Sequence, residues 1–303
     1  MKNKYISRRK FINITGVGVS GVGAGLMFPA FGHAAAGYWP TNTKITAGEV
    51  MDRIKKNLGV PWKTPTVDTI KGAGTNNIVV TGITTSFMAT LEVLEKSVKA
   101  GHNFVLAHEP TFWTNLDQGE GLEGDAMYLY KQEYIKKNGL FVHRFHDNWH
   151  ARKPDGITEG WNKAMGLDTY KFDDTNHTWQ LPQAMTLETY AQEVKRRLRT
   201  DSLRVVGDRK LIVKTVGTGS NKVPKGGAPV ADVTVHYEPD RENTNTEWER
   251  DLIASGQKKG FIIISHNRKE EAGMDNCADW LRTFISEVPI RFIESNEPFW
   301  RTV

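Results

Sequence analysis

From residue 37 onward, short apolar runs alternate with amphipathic segments along the chain. Ile78-Val79-Val80-Thr81-Gly82-Ile83 has the continuous apolar character of a buried strand. Met88, Leu91, Leu94 and Val98 then recur at helical spacing, with Thr85 or Ser86 as a cap and Gly101 as a stop. Phe104-Val105-Leu106-Ala107 reads as the next strand, and His108 stands at its end. A similar unit lies near the C-terminus: a strand over 232–236, a short helix over 247–255, a strand over 261–264, and His266 just past it. Ahead of the first unit, 37–66 reads as irregular or as carrying one helix over 47–58; between the two units, 139–145, 203–206 and 211–216 read as strands, and 158–165 and 187–198 as helices. Such alternation predicts an α/β fold. The two strand–helix–strand units that end in histidine fit an internal repeat, or a coincidence between two common units.

The first 36 residues follow a different pattern. Ser7-Arg8-Arg9-Lys10-Phe11-Ile12 precedes a glycine-rich, mildly apolar stretch from Ile14 to Phe31, and Ala34-Ala35-Ala36 closes it. Paired arginines, an apolar stretch and small residues look like a twin-arginine export signal, with cleavage expected after Ala34 or Ala36; the plainer readings are a transmembrane anchor or a frayed terminus. The expected mature chain, from residue 37, therefore meets the twin-arginine export machinery and is periplasmic or secreted. No later stretch approaches about 18 uninterrupted apolar residues, so stable membrane insertion after cleavage is not expected.

Charge and cysteine content narrow the chemistry. The net charge is +5, but the leader holds Lys2, Lys4, Arg8, Arg9 and Lys10 and no acid. Removing those five from the 40 basic residues leaves a count equal to the 35 acidic ones. Bulk attraction to nucleic acid is thereby excluded as the reading of the basic balance. The one cysteine, Cys277, rules out an internal disulfide framework and a cysteine-based zinc cluster. A metal site would use His, Asp and Glu.

Three groups of such residues fall at strand ends, where open α/β sheets collect their sites. They are His108-Glu109, the run His146-Asp147-Asn148-Trp149-His150, and His266 followed by Glu270. Imidazoles and carboxylates together suit zinc, manganese, iron or nickel. Two adjacent divalent ions need several donors and some negative charge. His108, His150 and His266 supply nitrogens, and Glu109 and Glu270 supply carboxylates. Each residue alone also fits a plainer role. His108 suits a strand-end histidine bonded to a carbonyl, His146 and His150 a solvated loop, and Glu270 the first turn of a helix. Lys195-Arg196-Arg197 reads as a solvated helix face, and Gly217-Thr218-Gly219-Ser220 as a turn that lacks the spacing of a phosphate loop.

The same stretches resemble the NGG-interacting factor three family, whose members are described as dinuclear-metal-centre hexameric proteins or as type 2 GTP cyclohydrolase I. The resemblance runs over most of 68–300 and is strongest from Thr81 to Phe112, from His146 to His150 and from Gly260 to Met274. It implies two similar α/β halves, approximately 68–170 and 200–303, with a metal site in the cleft between them, and a homo-oligomer, often a hexamer. Where the family has two histidines before a proline, this chain has His108-Glu109-Pro110. Where it has a ligand aspartate, this chain has His150. The two exchanges keep the ligand count, leave open which ligand bridges, and leave Asp147 as a further candidate.

The functional expectation is an exported hydrolase that holds two divalent ions per chain through His108, Glu109, His150, His266 and Glu270, with a bridging water as nucleophile. Glu271 or His146 is the expected proton carrier. Arg152 and Lys153 are candidate receivers of an anionic small-molecule substrate or simply loop charges, and Trp113, Trp149 and Trp300 line a ring-binding pocket or pack in the core. GTP is not an expected substrate outside the cytoplasm. The alternatives are a metal-binding or ring-forming scaffold without catalysis, and a fold that no longer binds metal.

Overall fold

The computed structural model describes residues 44–173, 178–219, 228–237 and 245–299. The expected export signal and Trp300 lie outside the described residues.

Eleven strands form two sheets among the described residues. The first contains β1 (Ile70–Lys71), β2 (Ile83–Met88), β3 (Phe104–Glu109), β4 (Phe141–Arg144) and β11 (Ile290–Phe292), in the order β1-β4-β3-β2-β11. Its pairings are parallel except that of the edge strand β1, which runs antiparallel to β4. The second contains β5 (Lys171–Asp173), β6 (Thr178–Thr186), β7 (Arg204–Val206), β8 (Ile212–Thr218), β9 (Val233–Tyr237) and β10 (Gly260–Ile264), in the order β5-β6-β8-β9-β10-β7. Here β8, β9 and β10 form the parallel centre. Each half is thus built on a strand–helix–strand unit with its histidine at the carboxyl end. Relative to the approximate sequence halves 68–170 and 200–303, β11 crosses back to the first sheet, and β5 and β6, which lie between the two spans, belong to the second.

The helices are α1 (Ala47–Asn57), α2 (Leu91–Lys99), α3 (Ala126–Lys137), α4 (Asp147–Ala151), α5 (Gly156–Met165), α6 (Leu187–Leu198), α7 (Asn245–Ala254) and α8 (His266–Arg282). Side-chain alternation along β3 explains where they sit. Phe104 and Leu106 face a core shared with Val50 and Ile54 of α1 and with Met274, Cys277 and Leu281 of α8. Val105 and Ala107 face the opposite core, with Leu94 of α2 and Ile135 of α3. His108 continues the even-numbered series and is directed toward α4 and α8. The second sheet packs Val233, Val235, Ile262 and Ile264 against Trp161 of α5 and Tyr190 and Val194 of α6.

One predicted unit shifts along the chain. The strand begins at Ile83, where the expected strand over 78–83 ends, and the helix begins at Leu91 under the cap Thr90 rather than Thr85 or Ser86. The hydroxyl-bearing run Thr84-Thr85-Ser86 is fully buried because each hydroxyl has an internal partner: His102 Nδ1 at 3.0 Å, the Met274 carbonyl at 2.7 Å and the Met88 carbonyl at 3.3 Å. Satisfied hydroxyls remove the cost of burying a polar strand.

Close helix contact joins the halves. A Cβ at Gly160 of α5 would lie 2.3 Å from the Ala272 carbonyl and 2.5 Å from Gly273 Cα of α8. A Cβ at Gly273 would meet Ile157 Cα at 2.6 Å. Glycine on both helices therefore allows the backbones to touch. Among the described residues no helix is long and apolar enough to cross a membrane.

Candidate metal centre

Two helices each bring a pair of donors on one face at i,i+4 spacing. On the first, the backbone N–H groups of His146, Asp147 and Asn148 donate to the buried Asp68 carboxylate at 2.8, 3.0 and 2.8 Å. Asp68 thus caps α4 from outside and satisfies the free N–H groups of its first turn. Trp149 packs in the core and donates from Nε1 to the Gly273 carbonyl at 3.1 Å, which fixes the helix rotation and turns His146 and His150 to the cleft. On α8, His266 and Glu270 form the second pair, with Glu270 Oε2 3.0 Å from His266 Nε2.

These pairs converge on the end of β3. The ring centroids of His108, His146 and His150 lie 4.5 to 5.0 Å apart. His108 Nε2 is 3.3 Å from Glu270 Oε2, and Glu109 Oε1 is 3.5 Å from His266 Nε2 and 4.0 Å from His146 Nε2. Ligand atoms of His108, His146 and His150, and of His108, Glu109 and Glu270, fall within 4.8 Å of one another.

The outer nitrogens are tied down. His108 Nδ1 lies 3.1 Å from the Phe145 carbonyl, His146 Nδ1 3.0 Å from Asp147 Oδ1, and His150 Nδ1 2.8 Å from Asp155 Oδ2. An acceptor at Nδ1 places the proton there and leaves Nε2 with a lone pair facing inward, the tautomer a metal needs. Glu109 is similarly divided: Arg144 donates to Oε2 at 3.2 Å, leaving Oε1 toward the histidines.

Two inward atoms test the fit. His108 Nε2 and Glu270 Oε2 are buried, close together, and have no hydrogen bond of acceptable geometry. Buried polar atoms without partners are costly, and a cation between them would satisfy both. Burial raises the Glu270 pKa, but His108 and His266 outweigh it and hold the carboxyl well below its ordinary value. Burial and the neighbouring His108 push His146 down, favouring the neutral imidazole. For His150, burial works downward, but Asp155 and then Glu270 and Glu109 leave it raised. The residues present therefore fit a divalent cation site.

A sequence profile described as Duf34/NIF3 (NGG1p interacting factor 3) matches residues 69–298. The chain belongs to that family. Three solved structures illustrate the fold the Duf34/NIF3 chain shares. A Bacillus cereus protein related to NIF3 is 14% identical, with a TM-score of 0.69 over 86% of this chain and 100% of its own. The Staphylococcus aureus hypothetical protein SA1388 is 16% identical, with a TM-score of 0.67 over the same shares. TTHA1606 from Thermus thermophilus is 15% identical, with a TM-score of 0.62 over 84% of this chain and 100% of its own. No curated protein matches.

The structure brings His108, Glu109, His150, His266 and Glu270 together, and adds His146 as a donor within the group. Asp147 is placed behind His146, where Oδ2 accepts from Thr66 Oγ1 at 2.9 Å and from the Val67 N–H at 3.2 Å. Glu271 is not brought to the cluster; it is buried against Arg268, and burial raises its carboxyl. A proton role for Glu271 has no geometric support, because its helix position points it away from the His266–Glu270 face. Arg152 is occupied by Glu159 at 2.6 Å and the Pro154 carbonyl at 3.0 Å, and lies over Trp149 and Trp280. Trp149 is core, and Trp113 is exposed beside Lys131 rather than at the cluster.

Sequence reasoning misses Asp68, Arg144, Asp155 and Lys269. Asp155 also accepts from the Ile157 and Thr158 N–H groups, so its place at the start of α5 is a readable cap signal. Lys269 lies with Nζ 4.1 Å from the Trp161 ring centroid; burial pulls it down to about 8 while Glu270 and Asp155 favour its charge. Nothing in the sequence distinguishes it from a surface lysine. On the open side, Tyr237 stacks on His266 at 4.1 Å and Phe87 meets it edge-on at 5.2 Å.

Proposed function

We propose that this chain is an exported metal-dependent hydrolase with two divalent ions in the His/Glu cluster. The carrying observation is the convergence of Nε2 atoms and carboxylate oxygens, with the opposite atoms of His108, Glu109, His146 and His150 held by the protein. His108, His146, His150 and His266 would hold the ions with Glu109 and Glu270. Divalent ions in such a site polarise a phosphoryl or carbonyl oxygen and make ionised water available near neutral pH. The chain's own contributions are separate from that chemistry. Asp155, Asp147 and the Phe145 carbonyl orient the imidazoles, and Arg144 orients Glu109. Tyr237 and Phe87 limit the motion of His266 and present apolar surface beside it.

Six donors shared by two ions leave each ion short of a full coordination shell, which supports catalysis over a saturated storage or scaffold site. The substrate is proposed to be a small molecule with a phosphoester, amide or cyclic amidine-like bond, reached outside the cytoplasm after twin-arginine export; the working unit is proposed to be a homo-oligomer.

Elemental analysis of the exported chain, wild type and His266→Ala/Glu270→Ala, tests the site, followed by hydrolysis assays with and without chelator. About two ions per chain, lost in the double variant with the fold intact, are expected. Unchanged metal content in the double variant, or chelator-insensitive hydrolysis, sinks the proposal.

A further inference from the structure

A second candidate site lies across β3 and β4 from the metal cluster, between the edge strand β1 and α3. A cleft of about 770 Å³ there is lined by Lys71, Phe112, Tyr128, Gln132, Glu133 and Lys136, among others. Lys71 is 4% exposed, and its nearest ion partner among the described residues is Asp117 Oδ2, at 3.7 Å. Asp117 is already committed: its two oxygens accept from the Thr111 and Phe112 N–H groups at 2.9 and 2.6 Å. A second buried ammonium, Lys131, donates to the Thr111 carbonyl at 2.5 Å and lies over the Phe112 and Trp113 rings at 5.9 and 5.1 Å.

Two buried ammonium groups therefore lie beside one carboxylate already taken by two backbone N–H groups, and Asp68 favours the Lys71 charge only from beyond ion-pair distance. Burying charge without a matched partner is unfavourable, and desolvation pulls both lysines below their ordinary values, Lys131 to about 8. Lys71 lines the cleft, Lys136 adds a cation at the exposed side, and Phe112 and Tyr128 meet edge-to-face at 5.0 Å in its wall. Glu133 is the one exposed acid in the lining and disfavours a highly charged ligand.

We propose that this cleft binds a small molecule with one carboxylate or phosphoryl group on an apolar or aromatic body, the anion held by Lys71. Charge-assisted hydrogen bonds to Lys71 complete the buried charge balance, and the ring surfaces take the body. The site is independent of the metal chemistry, although the same loop is tied to the cluster. Arg144 donates to the Asn115 carbonyl at 2.8 Å and to Glu109 at 3.2 Å.

Titration calorimetry on the full metal-loaded chain with benzoate and phenylphosphonate, which is not cleaved by hydrolysis, tests this. Saturable binding of at least one probe is expected, and the preferred probe identifies the head group. Lys71→Met is expected to weaken it at least about tenfold. Gln132→Trp, which fills the cleft from α3 and leaves Lys71 in place, is expected to do the same with unchanged metal content. Binding that survives both variants but vanishes in His266→Ala/Glu270→Ala belongs to the metal centre and overturns the proposal. So does failure of both probes up to about 10 mM.

Discussion

Asp155→Asn isolates the tautomer argument from helix capping. In the native chain Asp155 Oδ2 accepts from His150 Nδ1 at 2.8 Å, while Oδ1 accepts from the Ile157 and Thr158 N–H groups at 2.9 Å each. An asparagine keeps the capping oxygen, so α5 should retain its start, and melting temperature should hold within a few degrees. Its amide would then face His150 as a donor. The imidazole must accept at Nδ1, which moves its proton to Nε2, the atom that faces His108 and His146. A metal must displace that proton or lose the ligand. Loss of such a supporting bond lowers metal affinity roughly 10- to 100-fold, about 1.4 to 2.7 kcal/mol. Competitive titration against a chromophoric chelator reads the affinity, and thermal unfolding of the metal-free chain reads the cap. Affinity within about twofold of wild type, with a native melt, would refute the claim that Asp155 sets the His150 tautomer.

Two further outcomes follow from burial. His143 is 5% exposed, and burial depresses it to about 4 from 6.5. Its folded pKa is the lower one, so the unfolded chain takes up the proton first; stability is full above pH 6.5 and falls as pH drops toward about 4. The loss amounts to about 3 kcal/mol for this group. Comparison of unfolding free energies at about pH 7 and about pH 4.5 should show a clearly shallower drop in His143→Phe, and an identical drop would show that other groups, such as His102, carry the acid sensitivity. Gly160→Ala places a methyl against the α8 backbone and should cost about 1 to 3 kcal/mol, seen as a lower melting temperature and a weaker hold on metal; a native melt would mean that α5 can shift without consequence.

The strands that lead to His108 and His266 are legible in the sequence because their continuous apolar runs agree with burial in the tertiary structure. The His and Glu donors are legible because they fall at strand ends. The strand over Ile83–Met88 is not, since buried hydroxyls look polar until their partners are known. The run from His146 resembles a loop because α4 spans only 147–151 and is capped by Asp68, distant in sequence. A five-residue helix has too little local signal of its own. The supporting residues are invisible for the same reason: Arg144 and Lys269 acquire their roles from contacts that only folding creates.

Helix α8 runs 17 residues from the ligand pair at its start to Leu281 in the core beneath the first sheet. It leaves β10 of the second sheet directly, so a single rod is anchored in both cores. A cation held by His266 and Glu270 on that rod, and by His108 and His150 elsewhere, would act as a rivet across the seam between the sheets. Chelation would then lower the cooperativity of unfolding as well as its midpoint, letting one sheet loosen ahead of the other in the emptied chain.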